Sequence, residues 1–321
     1  MSHSDPVVLM GDLMVDINAI VSSLEDVISA RGSDLPSPIS ITPGGSASNT
    51  ALWLTELGAS TIFLGSVGDD MVGKSALSYL AARGIETCVR IDPDLATGMC
   101  IVLSELDGSR TMIPSAGANA SMSELDLHNL WPTQPIQHFH LSSYALFHQR
   151  TGNAALGALK RARSAGVTIS CDPSAHTLIR PNFDRITESM ALSHVILANW
   201  DETLSILQAA GIEPFPQGIG HEDALVAMTT FLNDRNVGDY VFVATLGASG
   251  AIAIDRHAHM TNSRIPPNSE VVSTTGAGDA FNAGFLHAWL RDPHDIEGAL
   301  HAGNMTAAHA IRRVGAGPGA M

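Results

Sequence analysis

The run Ser273-Thr274-Thr275-Gly276-Ala277-Gly278-Asp279 joins small residues that let a ligand approach the backbone to a carboxylate that can accept a proton. Phe281, Phe285, Ala288 and Trp289 follow at helical spacing, so the turn opens a helix. Free N–H groups at a helix start favour an anion by geometry and by dipole. Asp279 therefore has two readings. It either caps the helix, as aspartate commonly does, or it takes a proton from an attacking hydroxyl. In the second case the N–H groups at the helix start neutralise a phosphoryl group in transit.

A second cluster, Pro43-Gly44-Gly45-Ser46-Ala47-Ser48-Asn49-Thr50, precedes another helical pattern and again bares backbone through paired glycines. Asn49 offers a donor and an acceptor to a polyhydroxylated ligand, or else caps the helix. Asp16 follows the first apolar run and can accept from two vicinal hydroxyls, although an exposed loop aspartate looks the same in isolation.

The elements that must position these groups alternate. Val7–Met10, Thr61–Leu64, Gln137–Leu141, Val167–Cys171, Val195–Ala198 and Tyr240–Thr245 are near-continuous apolar runs, as expected of strands covered on both faces. Helical patterns lie between them at Ser48–Leu57, Lys74–Arg83, Asn153–Ala165, Asp201–Ala210 and Glu222–Asn233. Such alternation predicts an α/β fold with a mainly parallel sheet and right-handed crossovers. Two stretches break the rhythm. Val15–Val21 with Ile39–Thr42, and Thr97–Leu103 with Arg110–Pro114 around an Asp107-Gly108 turn, predict a small second sheet. A flap of this kind can close over a substrate and exclude water.

Composition narrows the chemistry. The chain has 321 residues, 45% hydrophobic and 15% charged, which suits one packed domain over residues 1–321 with lid segments near 12–42 and 97–115. A formal charge of −15 disfavours nucleic-acid and anionic-membrane surfaces, which need clustered Lys and Arg. It leaves a nucleotide substrate open, because backbone amides and a magnesium ion can hold a triphosphate. No apolar run approaches a membrane span, and the N-terminus lacks a signal-peptide pattern. Three scattered cysteines without paired spacing read as reduced thiols, and a cytoplasmic protein is expected.

In this order the motifs resemble the ribokinase-like (PfkB) carbohydrate kinase family. Gly44-Gly45-Ser46-Ala47-Ser48-Asn49 is similar to its N-terminal signature, and Leu64-Gly65-Ser66-Val67-Gly68-Asp69-Asp70 follows, with Gly73 beyond it. Thr275-Gly276-Ala277-Gly278-Asp279 is similar to the C-terminal signature. Asn199-Trp200-Asp201-Glu202 resembles the family's NxxE element, Thr245-Leu246-Gly247 its nucleotide-binding TLG, and Gly117-Ala118-Asn119 its lid-end GAN. The resemblance implies a doubly wound sheet flanked by helices, a small β lid, ATP and Mg2+ as cofactors, and transfer to a primary hydroxyl or hydroxymethyl. By the same resemblance Asp279 is the base and the Gly276–Asp279 amides form the anion hole. Asn199 and Glu202 organise magnesium through water. Thr245, Gly247 and Asn304 line the nucleotide side, and Asp16, Gly44, Gly45 and Asn49 hold the acceptor. A homodimer through the lid is also implied.

Departures from the family pattern carry expectations too. Ser273 stands where members that bind a monovalent cation commonly have aspartate, although carbonyls at Thr275, Ala310, Arg313 and Gly315 remain. Potassium activation is therefore expected to be weak or absent, and several-fold activation in a potassium titration overturns that. Ser46 and Met14 replace the lysine and asparagine of ribose-specific members, which argues against a strict ribokinase. A monosaccharide or sugar derivative is the first expectation for the acceptor, and a nucleoside the second. The lid strands between Thr97 and Pro114 contain no aromatic residue to stack a base. A phosphosugar would want extra cations near the acceptor, for which Arg110 is the candidate. A catalytically silent sensor on the same fold is the remaining alternative, and retention of Asp279 and Glu202 argues against it.

Overall fold

The strands that read as continuous apolar runs do lie side by side. The computed structural model describes residues 5–106, 109–212, 220–265, 271–313 and 315–319. Its strands are β1 (Val7–Met10), β2 (Met14–Val21), β3 (Ile39–Gly44), β4 (Thr61–Gly68), β5 (Glu86–Asp92), β6 (Gly98–Glu105) and β7 (Arg110–Ser115). They continue with β8 (His138–Ser142), β9 (Thr168–Asp172), β10 (Val195–Asn199), β11 (Val241–Thr245), β12 (Ala251–Asp255) and β13 (Met260–Ser263). Nine form one sheet in the order β13-β12-β11-β10-β9-β8-β1-β4-β5. Its members are parallel except at the β12 and β13 edge, where pairing turns antiparallel.

Alternation along each strand feeds two cores. Val8, Met10, Leu64, Phe139 and Phe242 pack on one face, and Val7, Leu9, Phe63, Val195 and Val243 on the other. Helices cover both faces, which is why these strands carry no polar side. The second face receives the helices Ser46–Glu56 and Ala277–Trp289, which pack against each other through residues such as Trp53, Phe281 and Phe285. The helices bearing the two glycine motifs therefore meet. Chain order reverses around β1, so a crevice opens beyond the carboxyl ends of the strands, the usual ligand position in such sheets.

The small sheet has the order β3-β2-β6-β7 and stands apart from the large one. Its centre pairs β2 with β6 in parallel, flanked by antiparallel β3 and β7, rather than as two separate hairpins. Gly98 opens β6 where a Cβ would lie 2.3 Å from Asn119 Nδ2. Asn119 in turn bonds the Leu13 backbone through both ends of its amide, at 3.1 Å each. The GAN element thus pins the entry into β2. The Asp107-Gly108 turn lies outside the described residues. His138 and His140 are wholly buried on β8, sharing the Ser170 hydroxyl at 2.7 and 2.8 Å, and burial pushes His140 down to about 4. They are neutral packing groups, as their strand position predicts.

Candidate active site

Gly276 sets the geometry of the glycine turn before Asp279. It caps the helix Ala277–Trp289 in a left-handed conformation (φ 74°), and a Cβ there would sit 2.5 Å from Ala316. Only glycine fits both demands. No side chain caps this helix start, and no backbone acceptor takes the N–H groups of Gly278 and Asp279 among the described residues. Space is open around Gly278, where a Cβ would meet nothing within 4 Å. Asp279 does not cap the helix. Its side chain points to the neighbouring helix, where Oδ1 accepts from Ser46 Oγ and Oδ2 from Asn49 Nδ2, both at 2.8 Å. Burial raises its carboxyl, and the Asn49, Ser46 and Arg110 groups oppose that rise.

The paired glycines owe their identity to two aspartates. A Cβ on Gly44 would come 2.3 Å from Asp16 Oδ1, and one on Gly45 would come 2.2 Å from the Asp12 carbonyl oxygen. Gly45 also has φ 98°. Of the two readings the sequence leaves open for each, the structure excludes an exposed loop for Asp16 and a helix cap for Asn49. Asp16 lies within β2, 5% exposed, and Gly45 is the helix cap, which brings the helix start forward to Ser46. Asn49 is then an interior helical residue, 4% exposed, whose Oδ1 is buried without a partner. Burial first, and the Asp279 charge second, push Asp16 up to about 7. Beside Asp16, Met14, Cys100 and Val102 make a small apolar cluster on the same sheet.

Asn199 and Glu202 close a reciprocal cap on the helix Trp200–Ala209, with bonds of 2.7 to 2.9 Å. Such a cap stabilises a helix by about 1 kcal/mol, whereas burying a carboxylate without a cation costs several kcal/mol. Glu202 is 7% exposed and its carboxyl is raised well above the usual range, by burial and then by Asp172. Capping alone does not account for that arrangement. Asp172, at the end of β9, is itself pushed up to about 7 by burial and by Asp279. It accepts from Asn282 Nδ2 at 2.8 Å, one helical turn beyond Asp279. Glu202 is buried and Asp172 half-buried, with no cation among their described partners, a pair that fits a divalent cation. No group of three or more such ligands occurs among the described residues.

Thr245 pairs in register with Asn199, which sets it beside the Asn199–Glu202 cap. Gly247 begins the following turn at φ 57°. Asn304 is 1% exposed and donates to the Ser263 carbonyl at 2.9 Å. Ser263 borders an open hollow of about 520 Å³, lined also by Asn262, Arg264, Glu297 and His301. That volume is within the range of small-molecule sites. From the lid, Arg110 on β7 reaches the Thr274 hydroxyl in the glycine turn.

The structure thus gathers Asp16, Gly44, Gly45, Asn49 and Asp279 into one cluster and sets Asn199, Glu202 and Thr245 beside it through Asp172 and Asn282. Sequence reasoning missed Asp172, Asn282 and the Ser46 contact. Only the Cys-Asp-Pro at a strand end could have flagged the first.

Comparison with known proteins places the chain in a family. The profile of the pfkB family carbohydrate kinase matches residues 4–320. The chain is 29% identical over 287 residues to the aminoimidazole riboside kinase of Salmonella typhimurium, covering 85% of this chain and 83% of that protein. It is 32% identical over 278 residues to the ATP-dependent ribose-1-phosphate kinase of Halopiger xanaduensis, covering 85% and 81%. Its fold matches the crystal structure of adenosine kinase from Sinorhizobium meliloti with a TM-score of 0.81, at 20% identity over 98% of this chain and 96% of that one. The chain belongs to the pfkB family of carbohydrate kinases and is an ATP-dependent kinase.

Proposed function

We propose that this kinase transfers the γ-phosphoryl of ATP to a primary hydroxyl or hydroxymethyl of a monosaccharide or sugar derivative, with Asp279 as general base. The observation that carries the reading is the joining of the two glycine motifs through Asp279, whose carboxylate meets Ser46 and Asn49 across the crevice. Asp16 and Asn49, with Gly44 and Gly45 clearing space for them, hold the acceptor hydroxyls. The Gly276–Asp279 amides take the charge of the phosphoryl, and Thr245, Gly247 and Asn304 line the nucleotide side. Phosphoryl transfer needs alignment and charge neutralisation above all, which these groups supply. Arg110 adds a mobile cation from the lid. A bound magnesium ion would supply positive charge to neutralise the phosphates. Asn199 and Glu202 would organise its waters with Asp172 beside them.

A nucleoside acceptor is the second reading. The apolar cluster of Met14, Cys100 and Val102 beside Asp16 would seat one face of a base. An aromatic platform is absent from the described lid strands. Comparing turnover on adenosine, inosine, ribose and fructose separates the two.

The acidic pair gives a direct test of the magnesium role. Glu202→Gln keeps the side-chain shape and one of the two contacts accepted from Asn199 while removing the charge, so the Mg2+ concentration for half-maximal rate should rise about tenfold, the usual scale for groups that support a metal site. An unchanged magnesium titration would remove Glu202 from that role.

The outer face of the lid supports a homodimer. Ile41, Ile17, Ile101 and Ile113 form one cross-strand row, and three of them are 57, 44 and 54% exposed. An apolar row of this extent is normally covered. The parent should sediment as a dimer at micromolar concentration, and the double variant Ile101→Asp, Ile113→Asp as a monomer. A monomeric parent refutes the assembly.

A further inference from the structure

Each oxygen of Asp279 already accepts one hydrogen bond before any substrate arrives, which leaves each a second lone pair. An acceptor hydroxyl must therefore either share an oxygen with the donor already there or displace that donor. The two donors differ in how they can respond. Asn49 is 4% exposed inside the helix, and it can keep its Nδ2 bond to Oδ2 while its unpartnered Oδ1 receives a ligand hydroxyl. Ser46 is only half-buried at the first helical position, and its hydroxyl turns about one bond.

We propose that Ser46 is a place-holder for the acceptor: its hydroxyl occupies Oδ1 of Asp279 in the empty enzyme and is displaced by the acceptor hydroxyl. The inference rests on the kinase reading with Asp279 as base. In the loaded enzyme the acceptor oxygen forms a bond to the γ-phosphorus and its proton passes to Oδ1. The bond from that phosphorus to the β–γ bridging oxygen breaks, and ADP leaves. Until then Ser46 satisfies a buried carboxylate oxygen, holds its rotamer, and keeps a water molecule from the position of the attacking hydroxyl. A serine hydroxyl at 2.8 Å reproduces the contact that the acceptor will make.

This role predicts a split that a fixed structural contact does not. The acid limb of kcat/KM reports groups of the free enzyme, and that of kcat reports the complex. Removing the serine hydroxyl takes a donor from the free carboxylate only. In Ser46→Ala the acid limb of kcat/KM should therefore move up by about one pH unit, while that of kcat stays in place. Above that limb the acceptor KM should fall about threefold, because the acceptor no longer competes with Ser46. ATP hydrolysis without acceptor should rise several-fold. Ser46→Thr, which keeps the hydroxyl, should hold the acid limb of kcat/KM at the parental position.

The measurement is a set of pH profiles for parent, Ser46→Ala and Ser46→Thr. The acceptor is whichever of ribose, fructose, adenosine and inosine the parent phosphorylates fastest, with acceptor-free ADP formation recorded alongside. A shift of both limbs together makes Ser46 a permanent clamp and overturns the proposal, as does no shift in either limb with unchanged ATP hydrolysis. A parent that phosphorylates nothing in that panel overturns the kinase reading instead, and the place-holder with it.

Discussion

Asp279→Asn should lower kcat by about a thousandfold or more, with the dissociation constants of ATP and acceptor staying within a few-fold of the parent. General-base catalysis contributes roughly 10² to 10⁴ in rate, and asparagine removes the base while keeping the shape. The amide oxygen can still accept from Ser46 or from Asn49, but its other end is a donor and cannot accept from the second of them. A small loss of thermal stability should therefore accompany the kinetic loss. The Asp279 charge also helps raise Asp16 and Asp172 to about 7. Both should titrate lower in the variant, which NMR of labelled aspartate can record without any substrate. A variant within a few-fold of the parent in turnover would strip Asp279 of its role.

Gly44→Ala should raise the acceptor KM tenfold or more and leave the core intact. The added methyl would lie 2.3 to 2.6 Å from the Asp16 carboxylate, nearer than atoms tolerate, and the end of a side chain yields more readily than a sheet. Asp16 is then turned from its place and its hydrogen bonds to the acceptor are lost. A hydrogen bond to a charged group contributes about 1.5–3 kcal/mol, and each 1.4 kcal/mol is a tenfold change in binding. ATP hydrolysis without acceptor should stay at the parental rate, because Asp279 and the anion-binding turn are untouched. Equal loss of both activities would mean that the glycine serves folding rather than acceptor binding.

The parts of this molecule that local pattern determines were legible in the sequence. Val7–Met10, Val195–Ala198 and Tyr240–Thr245 are apolar throughout because helices cover both sides of the sheet, and the structure has strands within a residue of each. The glycine turns were legible because positive φ and close approach leave few residue choices. The edges were not. β5 reads ETCVRID and β13 reads MTNS, each partly exposed and too polar to stand out. The helix at Ser46 begins two residues earlier than the predicted Ser48, because Gly45 at φ 98° supplies the cap. Least legible were contacts distant along the chain. Asp172 and Asn282 are 110 residues apart and Ser46 and Asp279 are 233 apart. Nothing local to Ser46 announces the bond to the base.

The most direct test is an ADP-formation screen with Mg-ATP over monosaccharides, sugar acids and nucleosides, followed by 31P NMR of the product. Acceptor-dependent ADP formation with a monosaccharide or close derivative, and a phosphate ester on its primary hydroxyl, is the expected outcome. A protein that binds ATP yet phosphorylates no member of that panel would contradict it.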